Sequence, residues 1–475
     1  MPARLPDNPK FYQKRFMPMR HARLFPWLLA LALALALPVT VLANPYERQL
    51  ANGLRIIVKE DRRAPTVAHM VWYRAGSMDE KNGTTGVAHV LEHMMFKGTP
   101  AAGPGEFNRR VAAAGGRDNA FTSRDYTAYF QQVPKHKLSD MMQLEADRMR
   151  HLTLDPGEFA QEIRVVMEER RLRTEDQPQA LLFEQLMATA LQAHPYRVPI
   201  IGWMNDLENM TATDARAWYE SWYVPNNAYV VVVGDVDHEA VFQLAEQHYG
   251  PLPARALPNR KPQDEPAQTG IRRLTVKAPA ELPIVMMAYK VPVIRDVAQD
   301  IDPYALEMLS AVLAGHEAAR FSKNLIRQQR LAVEATTSYR TTARGPGVFY
   351  LYGSPSEGKT RAELEAGLRS EIADVQEKGV AADELARAKA QLIAGQIYKL
   401  DSMFAQAMEI GQLESVGIAY VENQRIIEKL QAVTAEQVQA VANRYFRDEH
   451  LTVAELDPQP LPSVPRARSA FAPRH

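Results

Sequence analysis

The chain has no cysteine, and that absence removes several chemistries together. Disulfides, thiolate metal sites, cysteine nucleophiles and lipid attachment at an N-terminal cysteine are all excluded. Any metal must be held by His, Asp or Glu. Net charge is missing too: 56 Lys and Arg offset 56 Asp and Glu, for a formal +0. Proteins that grip polyanions need an excess of cations to neutralise phosphates, so nucleic acid is not an expected partner. The apolar run Leu24 to Leu37 stops at Pro38, short of the roughly 20 residues that a membrane-spanning helix needs.

What is present is ample material for large cores, with 475 residues of which 46% are hydrophobic. That length sets a prior of roughly two to four domains. At the start, Arg20, His21 and Arg23 precede the apolar run, and Val41-Leu42-Ala43 gives a small-residue exit. These features describe a secretory signal peptide cleaved after Ala43. The mature chain is then expected to be periplasmic or secreted, with no stable membrane anchor. Residues 1–16 read as an upstream extension, with Met17 or Met19 as the start.

Beyond Asn44 strands and helices alternate. Leu54 to Val58, Val67 to Tyr73, Tyr126 to Val133 and Tyr229 to Val233 read as strands. A helix is expected around 85–97, stopped by Gly98, and another near 136–150. Asp155-Pro156 with Glu158 is the opening of a third, with Asp as N-cap and Pro at the first helical position. Residues 251–270 are Pro-rich and polar and read as a linker between residues 44–250 and 271–457. The second half restarts the plan of the first. Leu282 to Lys290 echoes Val67 to Tyr73, and Leu306-Glu307-Met308-Leu309 echoes Leu91-Glu92-His93-Met94 without the histidines. The tail, 458–475, is rich in Pro and Arg.

The chemistry concentrates in His89-Val90-Leu91-Glu92-His93. On a helix, residues three and four apart share a face. His89, Glu92, His93 and Phe96 then form one stripe, while Val87, Leu91, Met94 and Met95 pack inward. Two imidazoles one turn apart with a carboxylate between them match the inverted zinc motif H-x-x-E-H. A catalytic zinc site has three protein ligands and one open position. The helix beginning at Asp155 supplies Glu162, Glu168 and Glu169 as candidates. Glu162 and Glu169 share a face, and spacing alone does not choose among the three.

Arg74-Ala75-Gly76-Ser77 and the segment Gly86 through Thr99 resemble the M16 (pitrilysin/insulinase) peptidases, in their shorter processing-peptidase branch. Asn119-Ala120-Phe121-Thr122 with Asp125 to Tyr129, Glu162 to Glu169, and His194-Pro195-Tyr196 with Gly202-Trp203 match further blocks. The resemblance covers roughly residues 46–455. It implies an α+β fold of two homologous domains, each a mainly antiparallel sheet covered by helices, together forming half of a clamshell. It implies one Zn2+ per chain on His89, His93 and Glu169, with Glu92 as general base and Glu162 as a supporting carboxylate. It also implies that the strand at Asn119, Ala120 and Phe121 is an open edge that pairs with an extended peptide substrate.

One departure stands out. Active members take an Arg/Tyr pair from the second half, and Arg327 is present here while Val333 stands at the tyrosine's place. Tyr339 is a weak substitute by position. A homologous second chain supplying the pair is therefore expected, with a homodimer as the alternative. A non-catalytic subunit of the same fold is the rival to a peptidase, yet such members lose His or Glu from the motif, which this chain keeps. His69 is expected to be a structural histidine, His194 to shape a turn, and Arg170, Arg171 and Arg173 to lie on a solvated helix face.

Overall fold

A computed structural model describes residues 45–461. The signal segment with its exit at Ala43, and the tail beyond Leu461, lie outside the described residues.

The first half builds a six-stranded sheet in the order β1-β2-β6-β3-β5-β4. Its strands are β1 (Tyr46–Gln49), β2 (Arg55–Glu60), β3 (Thr66–Tyr73), β4 (Arg117–Thr122), β5 (Thr127–Pro134) and β6 (Ala228–Gly234). All neighbours are antiparallel except β2 and β6. The second half builds a five-stranded sheet, β7-β11-β8-β10-β9. These strands are β7 (Arg272–Pro279), β8 (Ile284–Val291), β9 (Ala332–Ser338), β10 (Gly347–Pro355) and β11 (Leu451–Gln459), with only β7 and β11 parallel. The fold is α+β, two sheets with helices over them. Strand β11 runs through Asp457, Pro458 and Gln459 by pairing with Lys277 to Pro279, so ordered sheet extends two residues into the segment read as tail.

Strand β6 is buried along its whole length, because both faces of the first sheet are covered. Val230 and Val232 enter the main core of the first half, under helices such as α1 (Val87–Met94), α2 (Leu138–His151) and α3 (Pro156–Arg170). Tyr229, Val231 and Val233 face the other way, against α4 (Met403–Ser415), which belongs to the second half of the chain. That explains a continuous apolar run where a half-exposed strand would alternate. The seating of α4 is close. A Cβ on Gly411 would come within 2.1 Å of the Trp72 ring, and Tyr229 Oη donates to Gly411 O at 2.7 Å.

Residues 251–270 contain no helix or strand, and they are pinned. Glu265 accepts from the N–H groups of Gln192, Ala193 and His194 and from Lys290 Nζ. Arg260 donates to Asp79 at 2.7 Å. Between the halves, Arg344 pairs with Asp79 at 2.8 Å and donates to Asp125 O, while Tyr196 Oη donates to Asp125 and accepts from Gly345 N. In the second half, Tyr304 and Met308 are buried where the echo of the motif would set histidines.

Candidate metal centre

Helix α1 forms where periodicity places it. Its apolar stripe of Val87, Leu91, Met94 and Met95 is buried, but the helix ends at Met94, short of the expected stop at Gly98, which follows a turn and has a φ of 103°. Its N-terminus is held by two carboxylates. Glu80 accepts from Gly86 N and Ala88 N at 2.8 and 2.9 Å, and Asp206 accepts from Gly83 N, Thr85 N and Thr85 Oγ1. These bonds satisfy amides that a helix start otherwise leaves unpaired. The chain at Gly86 crosses that at Gly202 with almost no clearance. Both have positive φ, and a Cβ on Gly202 would lie 2.2 Å from Thr85 O.

Helix α3 supplies the facing carboxylates. Asp155 caps it, accepting from Gly157 N and Glu158 N. Glu162 and Glu169 lie on the side toward α1, while Glu168 turns to solvent and pairs with Arg171. His89, His93 and Glu169 each present one donor atom within 4.8 Å of the others. Glu169 Oε1 is 3.8 Å from His89 Nε2, and Oε2 is 3.3 Å from His93 Nε2. Glu162 Oε1 pairs with His93 Nδ1 at 2.8 Å, and its Oε2 with Lys97 Nζ at 2.5 Å. The donor set is the test of fit: two imidazole nitrogens and one carboxylate, enclosed and turned toward one point, suit a zinc ion.

The electrostatics favour that fit at His89 and Glu169 and oppose it at His93, whose ring must lose a proton before it can ligate. Burial takes His89 down to about 3, which keeps it neutral, the form that ligates a metal. For His93, burial favours the neutral ring, but hydrogen bonds to Glu162 and Glu169 outweigh it and raise the group to about 9. For Glu169, burial opposes ionisation, and the His93 bond with the charges of His93 and Arg173 prevails, bringing it to about 2. Glu92 differs. Burial raises its pKa, against a hydrogen bond from Thr122 and the charge of His93.

Asn119, Ala120 and Phe121 lie on β4, the open edge of the first sheet. Ala120 faces the α1 side, whereas Phe121 packs on the opposite face against Trp72, Tyr126 and Phe130. Arg327 lies in the π-helical segment Phe321–Gln328 and is exposed. Among the described residues it makes no hydrogen bond or ion pair to the metal-candidate set. Val333 is 53% exposed. Tyr339 is buried and donates to Pro292 O, so it does not serve as the missing tyrosine. His69 is structural, held between Gln131 and Tyr249, and His194 accepts from Tyr196 N within its turn.

The arginine cluster meets its expectation in part. Arg171 and Arg173 are exposed, although Arg173 also pairs with Glu169 at 2.5 Å, whereas Arg170 is buried against Glu184. Helix α3 continues into a π-helical turn, Arg171–Glu175. Thr122, Lys97, Glu80 and Asp206 join the site without having been singled out. Lys97 stood four residues beyond His93, the one spacing that could have drawn attention to it.

Comparison with known proteins adds a family. The model described as "Insulinase (Peptidase family M16)" matches residues 55–202, and "Peptidase M16 inactive domain" matches residues 209–392. Zinc protease PqqE of Helicobacter pylori is 32% identical over 424 residues, 86% of this chain and 92% of that one. Mitochondrial-processing peptidase subunit beta of Blastocladiella emersonii is 28% identical over 437 residues, 89% and 91% of the two chains. The crystal structure of a protease from Helicobacter pylori has a TM-score of 0.82 at 30% identity, covering 87% of this chain and 100% of that one.

Proposed function

The chain belongs to peptidase family M16, and on that premise we propose that it is an exported zinc metallopeptidase hydrolysing internal bonds of short or unfolded peptides. The observation that carries this reading is the convergence of His89, His93 and Glu169 with Glu92 beside them. These three side chains would hold one zinc ion per chain. The chemistry supplied there is Lewis acidity, which polarises a peptide carbonyl and brings the pKa of water toward about 7.

The remaining work falls to side chains. Glu92 takes the proton of the attacking water on Oε1, the oxygen that Thr122 leaves free, and delivers it to the leaving amine. Glu162 orients the His93 ring through Nδ1. Strand β4 receives an extended peptide by main-chain hydrogen bonds at Asn119, Ala120 and Phe121, which grip substrate without reading its sequence. A homologous partner chain supplies the second-half contacts that Val333 cannot make. The match of the second half to a domain described as inactive supports this division of labour. It also sustains the rival reading of a non-catalytic subunit.

Glu92→Gln separates the two. The variant is expected to retain zinc and lose cleavage of unstructured peptides, and undiminished turnover would overturn the mechanism. A wild-type chain that binds zinc but cleaves nothing, alone or with a co-exported homologue, would favour the non-catalytic reading. Equal activity with and without that homologue would remove the partner from the scheme.

A further inference from the structure

The Glu92 carboxylate is held from one side. Its Oε2 accepts a hydrogen bond from Thr122 Oγ1 at 2.5 Å, and no other hydrogen bond to it is formed among the described residues. Thr122 is not on the metal helix. It is the last residue of β4, where strand alternation sets it with Ala120 on the α1 side, opposite Phe121.

The backbone just beyond Thr122 is fixed independently of α1. Ser123 N donates to Tyr126 O at 2.8 Å, Ser77 N to Ser123 O at 3.1 Å, and Met78 N to Arg124 O at 3.0 Å. Gly76 lies against this turn so closely that a Cβ there would be 2.4 Å from Ser123 O. The hydroxyl therefore reaches Glu92 from a rigid second support. A glutamate on one helix turn keeps freedom about its side-chain torsions, and its terminal torsion is broad. Fixing Oε2 removes that freedom and leaves Oε1 turned to the reacting water.

We propose that Thr122 is a positioning residue, whose hydroxyl sets the orientation of the Glu92 carboxylate for proton transfer. This rests on the reading of Glu92 as the base. The hydroxyl touches neither the metal-candidate side chains nor the strand's main-chain groups, so its loss acts on the chemical step. Binding of metal and of substrate is left alone.

The test uses the full chain, with its partner if one is needed, in four forms: wild type, T122V, T122S and E92Q. Zinc content, melting temperature, kcat and KM are measured on one unstructured peptide. T122V is expected to lower kcat about tenfold to a hundredfold, the range spanned by a lost hydrogen bond to a charged group. Its zinc content and KM stay unchanged, and T122S, which keeps the donor, recovers most of the rate. An unchanged kcat in T122V overturns the inference, as does a T122S as slow as T122V. Should T122V not fold, T122A takes its place under the same criteria. If E92Q remains active, the base assignment itself fails, whereas an inactive E92Q beside a fully active T122V removes only the role of Thr122.

Discussion

In the proposed mechanism Glu162 acts without touching the reacting atoms. One oxygen meets His93 Nδ1 and the other meets Lys97 Nζ, so the imidazole is locked in orientation and tautomer. Replacing the carboxylate with an amide weakens that lock while preserving shape. Glu162→Gln is expected to reduce zinc affinity about tenfold to a hundredfold, measured by competition with a chelator. At this scale the sequence was partly readable. His89, Glu92 and His93 announced themselves because their spacing matches one helical face. Thr122 did not, because the bond between Thr122 and Glu92 joins a strand end to a helix across 30 positions. Arg170 misled for a related reason: its partner Glu184 lies beyond a π-helical turn that no periodicity signals.

Among the elements, helix α1 owes its placement to contacts at its N-terminus as much as to its own apolar stripe. The crossing at Gly86 and Gly202 needs positive φ at both residues and space for neither Cβ. Gly202→Ala combines backbone strain of about 1–3 kcal/mol with a steric clash. It should lower the melting temperature and the zinc content together, checked by thermal unfolding and metal analysis. The connecting segment makes a second case. Composition reads residues 251–270 as a linker, but gives no sign that Glu265 ties the segment down. Burial alone would raise the Glu265 pKa, yet its bonds to Lys290 and to three backbone amides hold it at about 2, against an ordinary 4.5. A depressed folded-state pKa gives stability that is complete above the unfolded value and is lost as pH falls through the folded one. Acid titration should therefore weaken this tether between pH 4.5 and about 2. Glu265→Gln should flatten that part of the stability curve, measured by denaturant unfolding at stepped pH.

For the molecule as a whole, the two-sheet plan was legible in the repeated strand and helix pattern, since each half carries its own alternation and its own core. What the pattern could not convey is that the halves do not close independently. Arg344, Asp79, Tyr196 and Asp125 bind them through charges and hydrogen bonds whose members are widely separated in sequence. Such pairings depend on tertiary geometry, and no local signal encodes them.

Helix α4 carries this furthest. It is encoded in the second half but roofs the aromatic face of the first sheet, with Gly411 on Trp72 and Ala407 and Ile410 among Tyr229 and Val231. A fragment of residues 45–250, though it holds every residue of the zinc set, would display that face bare. A contiguous apolar patch of this kind drives self-association. The fragment is expected to aggregate when expressed alone and to be rescued by co-expression of residues 271–461, as light scattering and co-purification would report. The seeming duplicate thus covers an apolar face of its sibling, a packing duty that needs no histidine.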